Sequence, residues 1–465
     1  MTHELRQHPS TGTPMRSAAS RNTVPRRSMQ EGIVHKSSVP ASELNSRPVM
    51  WNPFASMGTL AGNTVTIVRG QGAAVFDTTG KRYLDALASL WYCNVGHGRA
   101  ELADVAASQM RELAAYQAFE VYSNLPAEAL AQRLADLAPL PDAKVFFTAG
   151  GGSDAIDTAA KLARAFWRAV GRPTKQVIIA RSHAYHGMNA YGTSLGGIPA
   201  NTEAFDPLVT LVERVPWDDP SALAKLIDQL GADQVAAFFC EPIVGAGGVY
   251  FPPDGYLARV QEICRQYDLL FVAEEVITGF GRAGAWFASE RFGLAPDMVT
   301  VAKGLTSGYA PLGAVLVGPR VAEPFWRAGS AEVFRHGYTY SAHATSCAVG
   351  LANLELIERE QLIAQARDLE KVLADSLTSL ADHELVAEVR AGTGLLAAVE
   401  IVEEARIADP DLVPRLVAAI RERGVITRAL RGASLQVSPP FIITEREIAQ
   451  ITDAFAAALD AQTNL

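Results

Sequence analysis

From about residue 140 the chain alternates two hydrophobic patterns. The first is an unbroken apolar run of strand length, as in AKVFFT (143–148), QVIIAR (176–181), VAAFFCEPI (235–243), LLFVAEEV (269–276), MVTVAK (298–303) and LGAVLVG (312–318). Runs without polar alternation belong to strands covered on both faces. The second is a helical stripe: in SDAIDTAAKLARAFWRAVG, residues Ile156, Ala159, Ala160, Ala163, Phe166, Trp167 and Val170 share one face and Gly171 supplies a stop. Strand and helix in repetition predict an α/β domain with a mainly parallel sheet.

After about residue 345 the rhythm changes to a long helix, GTGLLAAVEIV, a helix, GVITRAL, SLQVSPPFIIT and a terminal helix from Glu445. That pattern predicts a smaller C-terminal α/β domain over 346–465, packed with an N-terminal segment over 46–95, beside a large domain over 96–345. Residues 1–45 are rich in Ser, Thr, Pro and Arg without a period, which reads as a flexible tail. An organelle transit peptide is the alternative there, weakened by Glu4 and Glu31. No internal repeat is visible.

Composition narrows the class. The 465 residues are 49% hydrophobic and 20% charged, ample for a large core. Net charge is −9, but the first 50 residues hold seven Lys/Arg against three Asp/Glu, so the rest carries 34 against 47. An acidic body argues against nucleic acid as a partner. Cys93, Cys240, Cys264 and Cys347 are widely spaced with no metal-ligand pairing, as in a cytoplasmic protein with reduced thiols. No stretch approaches the ~18 consecutive apolar residues of a membrane span.

In open α/β sheets, ligands bind beyond the carboxyl ends of the strands. The residues closing the apolar runs are Thr148 to Ser153, Arg181 to His186, Glu241 to Pro242, Glu274 to Glu275 and Lys303 to Gly304. A lysine ending an apolar strand is partly desolvated, which lowers its pKa and frees a neutral amine to condense with an aldehyde; the alternative is an ammonium reaching solvent. Gly150 to Gly152 let a backbone approach an anion, Ser153 offers a hydroxyl and an N-cap, and the helix start favours phosphate; an ordinary glycine turn is the alternative. The loop is neither a Walker A sequence nor GxGxxG. In HAYHG (183–187), Tyr185 suits stacking on a flat heterocycle, while His183 and His186 suggest a metal pair with no evident third ligand. A phosphate on Gly152 and Ser153, a ring on Tyr185, an aldehyde on Lys303 and a carboxylate for a ring nitrogen together describe pyridoxal 5′-phosphate.

The motifs SLWYCNVGHGR, GGSDAIDTAAKLAR, AYHG, EPIVGAGGV, EEVITGFGR, KGLTSGYAPLGAV, GYTYSAHATSCA and SPPFIIT, in this order over about 50–460, resemble the class III (omega) aminotransferases. These are pyridoxal-phosphate enzymes of fold type I, and the chain is similar to the omega-amine:pyruvate transaminases among them. The resemblance implies Lys303 as the lysine that carries the cofactor, Gly152 and Ser153 at its phosphate, and Tyr185 on its ring. It also implies His186, Glu241 and Ile277 around it, and Trp91, Phe119 and Arg428 at the substrate. Thr339 corresponds to a threonine that reaches the neighbouring subunit's phosphate, implying a homodimer with active sites at the interface and tetramers as an option. One departure stands out: Glu274 occupies the place of an aspartate that pairs with the pyridine nitrogen. Its extra methylene moves the ring outward by about 1 Å or makes the side chain fold back. Glu275 is expected to pair with a basic group, Arg282 being the candidate.

The implied reaction moves an amino group from an amine to a keto acid, with Lys303 shuttling the proton as base and acid. Arg428, with Arg431 as competitor, would bind the acceptor's carboxylate through its fork. Trp91, Tyr185, Phe119 and Ile277 would favour a hydrophobic or extended amine, with Glu120 available for the second amine of a diamine. Pyruvate is the expected acceptor and 2-oxoglutarate the second. A diamine, polyamine or omega-amino-acid aminotransferase, and a mutase, racemase or decarboxylase on the same fold, are the rival enzymes.

Overall fold

The computed structural model describes residues 49–60 and 63–463, so the tail expected over 1–45 lies outside the described residues. The chain divides into a unit ending at Thr64, in which Met57–Leu60 forms a short helix, and a unit from Val65 to Leu465. The second unit opens with three short antiparallel strands, β1 (Ile67–Gln71), β2 (Ala74–Asp77) and β3 (Arg82–Asp85).

The large sheet contains β4 (Lys144–Thr148), β5 (Val177–Arg181), β6 (Val212–Val215), β7 (Val235–Cys240), β8 (Leu270–Glu274), β9 (Met298–Val301) and β10 (Gly313–Val317), in the order β4-β10-β9-β8-β7-β5-β6. All six apolar runs form strands. Only β10 runs against its neighbours, pairing Gly313 with Thr148 and Ala314 with Val301. The carboxyl ends of β4, β5, β7, β8 and β9 therefore reach one edge of the sheet.

Alternation along the strands explains the unbroken apolar runs. Ile178 and Ala180 face a layer containing Ile156, Phe166 and Trp167 of the helix Gly152–Ala169, whereas Val177 and Ile179 face Leu223, Ile227, Val260 and Ile263 on the opposite side. Each large apolar side chain so buried contributes about 1.5–3 kcal/mol, so neither face tolerates a charge. Sequence patterning misses β6, because Glu213 and Arg214 sit exposed on this edge strand and break its run.

The C-terminal region holds β11 (Val386–Arg390), β12 (Ala397–Ile401), β13 (Val425–Ile426), β14 (Ala429–Leu430) and β15 (Ser434–Val437). Four of them form the antiparallel sheet β11-β12-β15-β14, while β13 lies parallel to β3, pairing Val425 with Leu84 and Ile426 with Asp85. The single long helix expected after residue 345 is two helices, Ala344–Arg359 and Leu362–Thr378. The chain turns between them at Gln361, whose φ of 53° is left-handed.

Candidate active site

Where the five parallel strand ends meet, a cavity of about 400 Å³ is lined by Gly152, Ser153, Tyr185, His186, Glu274, Ile277 and Lys303, among others. Lys303 follows β9 and takes a strained left-handed φ of 40°, which points the side chain off the strand line. Burial holds its amine below the usual lysine range; Glu274 and Glu241 pull the other way, while Arg428 adds to the lowering. Desolvation wins because neither carboxylate reaches the ammonium as a direct ion pair among the described residues.

Glu274 ends β8 and is 4% exposed. Its Oε1 accepts the N–H of Val276 at 2.8 Å, so the longer side chain folds back on its own backbone. Its Oε2 lies 3.4 Å from His186 Nδ1, within ion-pair reach but not aligned as a hydrogen bond, which leaves both ring nitrogens of His186 without a hydrogen-bond partner. Behind Glu274 stands Glu241, whose two oxygens accept the N–H groups of Tyr185 (3.0 Å) and Gly245 (2.9 Å). Ligand atoms of His186, Glu241 and Glu274 all lie within 4.8 Å of one another. The two carboxylates, not His183, are thus the company of His186; the ring of His183 packs against Tyr250 instead. No single spacing rule in the sequence links these three residues, which come from three different strand ends.

The glycine loop is tightly fitted. A Cβ on Gly152 would meet Val276 Cγ1 at 2.7 Å, and one on Gly187, at a φ of 90°, would meet Ser153 Oγ at 2.4 Å. Ser153 is not the N-cap, contrary to the sequence expectation: Gly151 takes that place, and Ser153 Oγ accepts the Met188 N–H at 3.1 Å. The physical reason is that the third glycine, Gly152, adopts helical geometry and starts the helix two residues earlier than an N-cap at Ser153 would.

Across the cavity, residues 88–91 hold left-handed φ values at Ala88, Ser89 and Trp91. This irregular turn buries Trp91, whose ring centre is 5.8 Å from Lys303 Nζ and 4.7 Å from the guanidinium carbon of Arg428. Among the described residues Trp91 Nε1 and Arg428 Nε are buried without partners. Arg431, three residues on, points elsewhere, 3.5 Å from the hydroxyl of Tyr250, and is exposed.

Two expected site residues stand apart within one chain. Phe119, with Glu120, lines a separate cavity of about 810 Å³ between residues 118–131 and 333–342, and Thr339 is exposed in a turn. Glu275 does not pair with Arg282. It accepts hydrogen bonds from Thr278 Oγ1 (2.9 Å) and from the N–H groups of Ala288 (2.6 Å) and Ser289 (2.8 Å). Backbone donors at a helix start satisfy it without a cation. Sequence reasoning did not single out Tyr92, Thr306 or Pro311, which also line the main cavity, because they lie in loops without periodicity.

Comparison with known proteins agrees with this geometry. The family described as aminotransferase class-III matches residues 58–459. A putrescine–pyruvate aminotransferase of Pseudomonas aeruginosa is 39% identical over 416 residues, covering 85% of this chain and 90% of the relative. A diaminobutyrate–2-oxoglutarate transaminase of Halomonas elongata is 38% identical over 426 residues, covering 86% and 90%. Among solved structures, an amine transaminase from an uncultivated Pseudomonas species in a PLP-bound form superposes with a TM-score of 0.84 at 35% identity, covering 90% of this chain and 99% of that one.

Proposed function

The chain belongs to the class III aminotransferases, which transfer an amino group from an amine to a keto acid, and we propose from that premise that it works on pyridoxal 5′-phosphate held by Lys303. We further propose a hydrophobic or extended primary amine as donor and pyruvate as acceptor. The observation that carries this reading is the convergence of a desolvated lysine, a buried carboxylate, an aromatic and a close-packed glycine loop on one cavity. The residues fit the group: the loop around Gly152 and Ser153 for the phosphate, Tyr185 and Ile277 for the ring faces, and Glu274 with His186 beside it for the ring nitrogen.

When bound, pyridoxal phosphate supplies an electron sink that stabilises negative charge at the substrate carbon. The chain's own residues do the rest. Lys303 Nζ would hold the cofactor and, when free of it, would act as base and then acid, carrying the proton from the substrate carbon to the cofactor. The folded-back Glu274 carboxylate is fixed at the cavity wall by its Val276 N–H bond, which prevents it from swinging away. Arg428, leaning on Trp91, is placed to meet a substrate carboxylate or to withdraw for an apolar group, with its unpartnered Nε as the available donor.

The same reading includes a homodimer. Leu113, Tyr116, Phe119, Val121, Tyr122 and Leu125 leave a run of large apolar side chains exposed beside the segment that carries Thr339, a surface suited to burial against a second copy. On this reading Phe119 and Thr339 complete the partner's cavity. Reducing surroundings are part of it too, supported by four buried free thiols, and no helix among the described residues is long and apolar enough to cross a membrane.

A diamine donor is the second reading, favoured by the relative that acts on putrescine. The deciding experiment is the visible spectrum of the purified protein before and after a hydrophobic amine, then pyruvate. Bleaching by the amine and recovery with pyruvate are expected. A colourless protein that takes up no pyridoxal phosphate would overturn the assignment, and recovery only with 2-oxoglutarate would replace the acceptor.

A further inference from the structure

We propose that Glu241 is a positioning residue that acts through Glu274: by holding or releasing one proton it sets the charge of the buried Glu241–Glu274–His186 cluster, and so the grip of that cluster on the cofactor's ring nitrogen. The inference rests on the reading of the cavity as a pyridoxal-phosphate site.

Geometry separates the two carboxylates. Glu274 and His186 line the cavity, whereas Glu241 does not; it stands one layer behind, with a ligand oxygen within 4.8 Å of theirs. Because Glu241 is not among the lining residues, its influence on the cavity passes through its neighbours. Among the described residues no cationic side chain neutralises it by contact. Arg181 reaches the backbone carbonyl of Glu241 rather than its carboxylate, leaving two backbone N–H groups as the partners of the Glu241 oxygens. Two carboxylates this close, both under 5% exposed, resist ionising together and share a proton between them.

The groups facing Glu241 are Glu274 from the end of β8, His186 from the loop after β5, the Lys303 amine after β9, and Arg181 and the Cys240 thiol within its own layer. Burial and then the Glu274 charge push the Glu241 carboxyl up to about 7, while His186 and the two backbone donors oppose them. Glu274 takes the Val276 N–H and faces the cavity, whereas Glu241 stands behind it and is the member whose proton is at issue. When Glu241 ionises, its proton leaves to solvent and the cluster gains one negative charge. The pyridinium is then held more tightly.

The test compares wild type with Glu241→Gln, which mimics the neutral carboxyl. Pyridoxal 5′-phosphate binding is followed by tryptophan fluorescence at pH 6 and pH 8. The ratio of dissociation constants, variant over wild type, is expected near unity at pH 6 and about tenfold at pH 8, one pKa unit of interaction. Thermal melting of the unloaded chain should move the other way. A carboxyl raised in the folded state loses stability as pH climbs from its ordinary 4.5 to about 7, so the variant should gain on wild type over that window and hold the gain above it. A residue with only a structural role would weaken both properties equally at every pH, and that result would overturn the proposal. Should the variant not fold, infrared spectra of wild type decide: a protonated-carboxyl band lost between pH 6 and pH 8 is expected, and its absence overturns the idea. A wild-type chain that binds no pyridoxal phosphate would sink the site reading alone, since the melting difference still tests Glu241.

Discussion

Glu274 and Glu275 are neighbours in the chain and both are buried, yet they belong to opposite kinds of polar region. Glu275 has three donors within 2.9 Å, and the nearby Arg282 donates to the carbonyls of Leu395 (3.1 Å) and Pro439 (2.6 Å) and to Asn94 Oδ1 (2.7 Å) while its face covers Phe441. Around Glu274 the accounts are left open: both nitrogens of His186, Trp91 Nε1 and Arg428 Nε have no partner. An unpartnered buried polar atom costs about 1–3 kcal/mol. The Glu275 region is not free of such atoms, since Arg282 Nε and Ser289 Oγ also lack a partner among the described residues, but there the carboxylate itself is fully met. Near Glu274 the open atoms include both nitrogens of a histidine that lines a cavity, where a ligand could meet them.

Removing the lysine tests the open region most severely. Lys303→Ala should lower transamination by roughly 10⁴-fold, the upper range for a lost general acid–base group, with the melting temperature kept. Loss of fold together with activity would place Lys303 in the scaffold instead. The closed region should answer in the opposite currency: Arg282→Met strands Asn94 Oδ1 and two carbonyls and should cost about 1–3 kcal/mol of stability, measured by denaturant unfolding, while folded molecules retain their pyridoxal-phosphate spectrum. An unchanged unfolding midpoint would break the comparison.

Glu274→Gln should reduce turnover by about 10²- to 10³-fold, as when one preorganised charge partner is removed, and a variant with full activity would refute its role. The same variant carries a pH signature. Glu274 raises the Lys303 pKa against the lowering by burial, so removing its charge lets that pKa fall further. The rate at which the unloaded chain takes up pyridoxal phosphate, which needs the neutral amine, should then reach its plateau at a lower pH than in wild type. The smallest effect is expected at the rim: Arg428→Leu should raise the KM for pyruvate by about tenfold and leave the KM for an apolar amine nearly unchanged. Equal changes in both would remove Arg428 from carboxylate recognition.

Much of this contrast is legible in the sequence, for physical reasons. Strands buried on both faces write themselves as apolar runs, and the residues closing those runs, Lys303, Glu274, Tyr185 and Ser153, line the cavity. What cannot be read is company. Glu275 looked like half of an ion pair because its real donors are backbone N–H groups, which leave no trace in residue identity. The Glu241–Glu274–His186 cluster depends on three strand ends lying side by side, a matter of sheet order rather than spacing. Phe119 was expected in the pocket and Thr339 at the neighbouring subunit's phosphate; in one chain, Phe119 lines a different cavity and Thr339 lies in an exposed turn.

The pairing of β3 with β13 has a consequence for biosynthesis. Leu84 N–H bonds to Gly424 O, Ala86 N–H to Ile426 O, Ser438 N–H to Ala86 O and Phe441 N–H to Asn94 O, so the turn that presents Trp91 is stitched to a segment synthesised some 340 residues later. Residues 424–441 include Arg428 and lie within the last tenth of the chain. Lys303 and Glu274 are synthesised before residues 424–441, so the proposed substrate wall of Trp91 and Arg428 closes later than the proposed catalytic centre. On this order of synthesis a nascent chain would own its proposed chemistry before its proposed specificity.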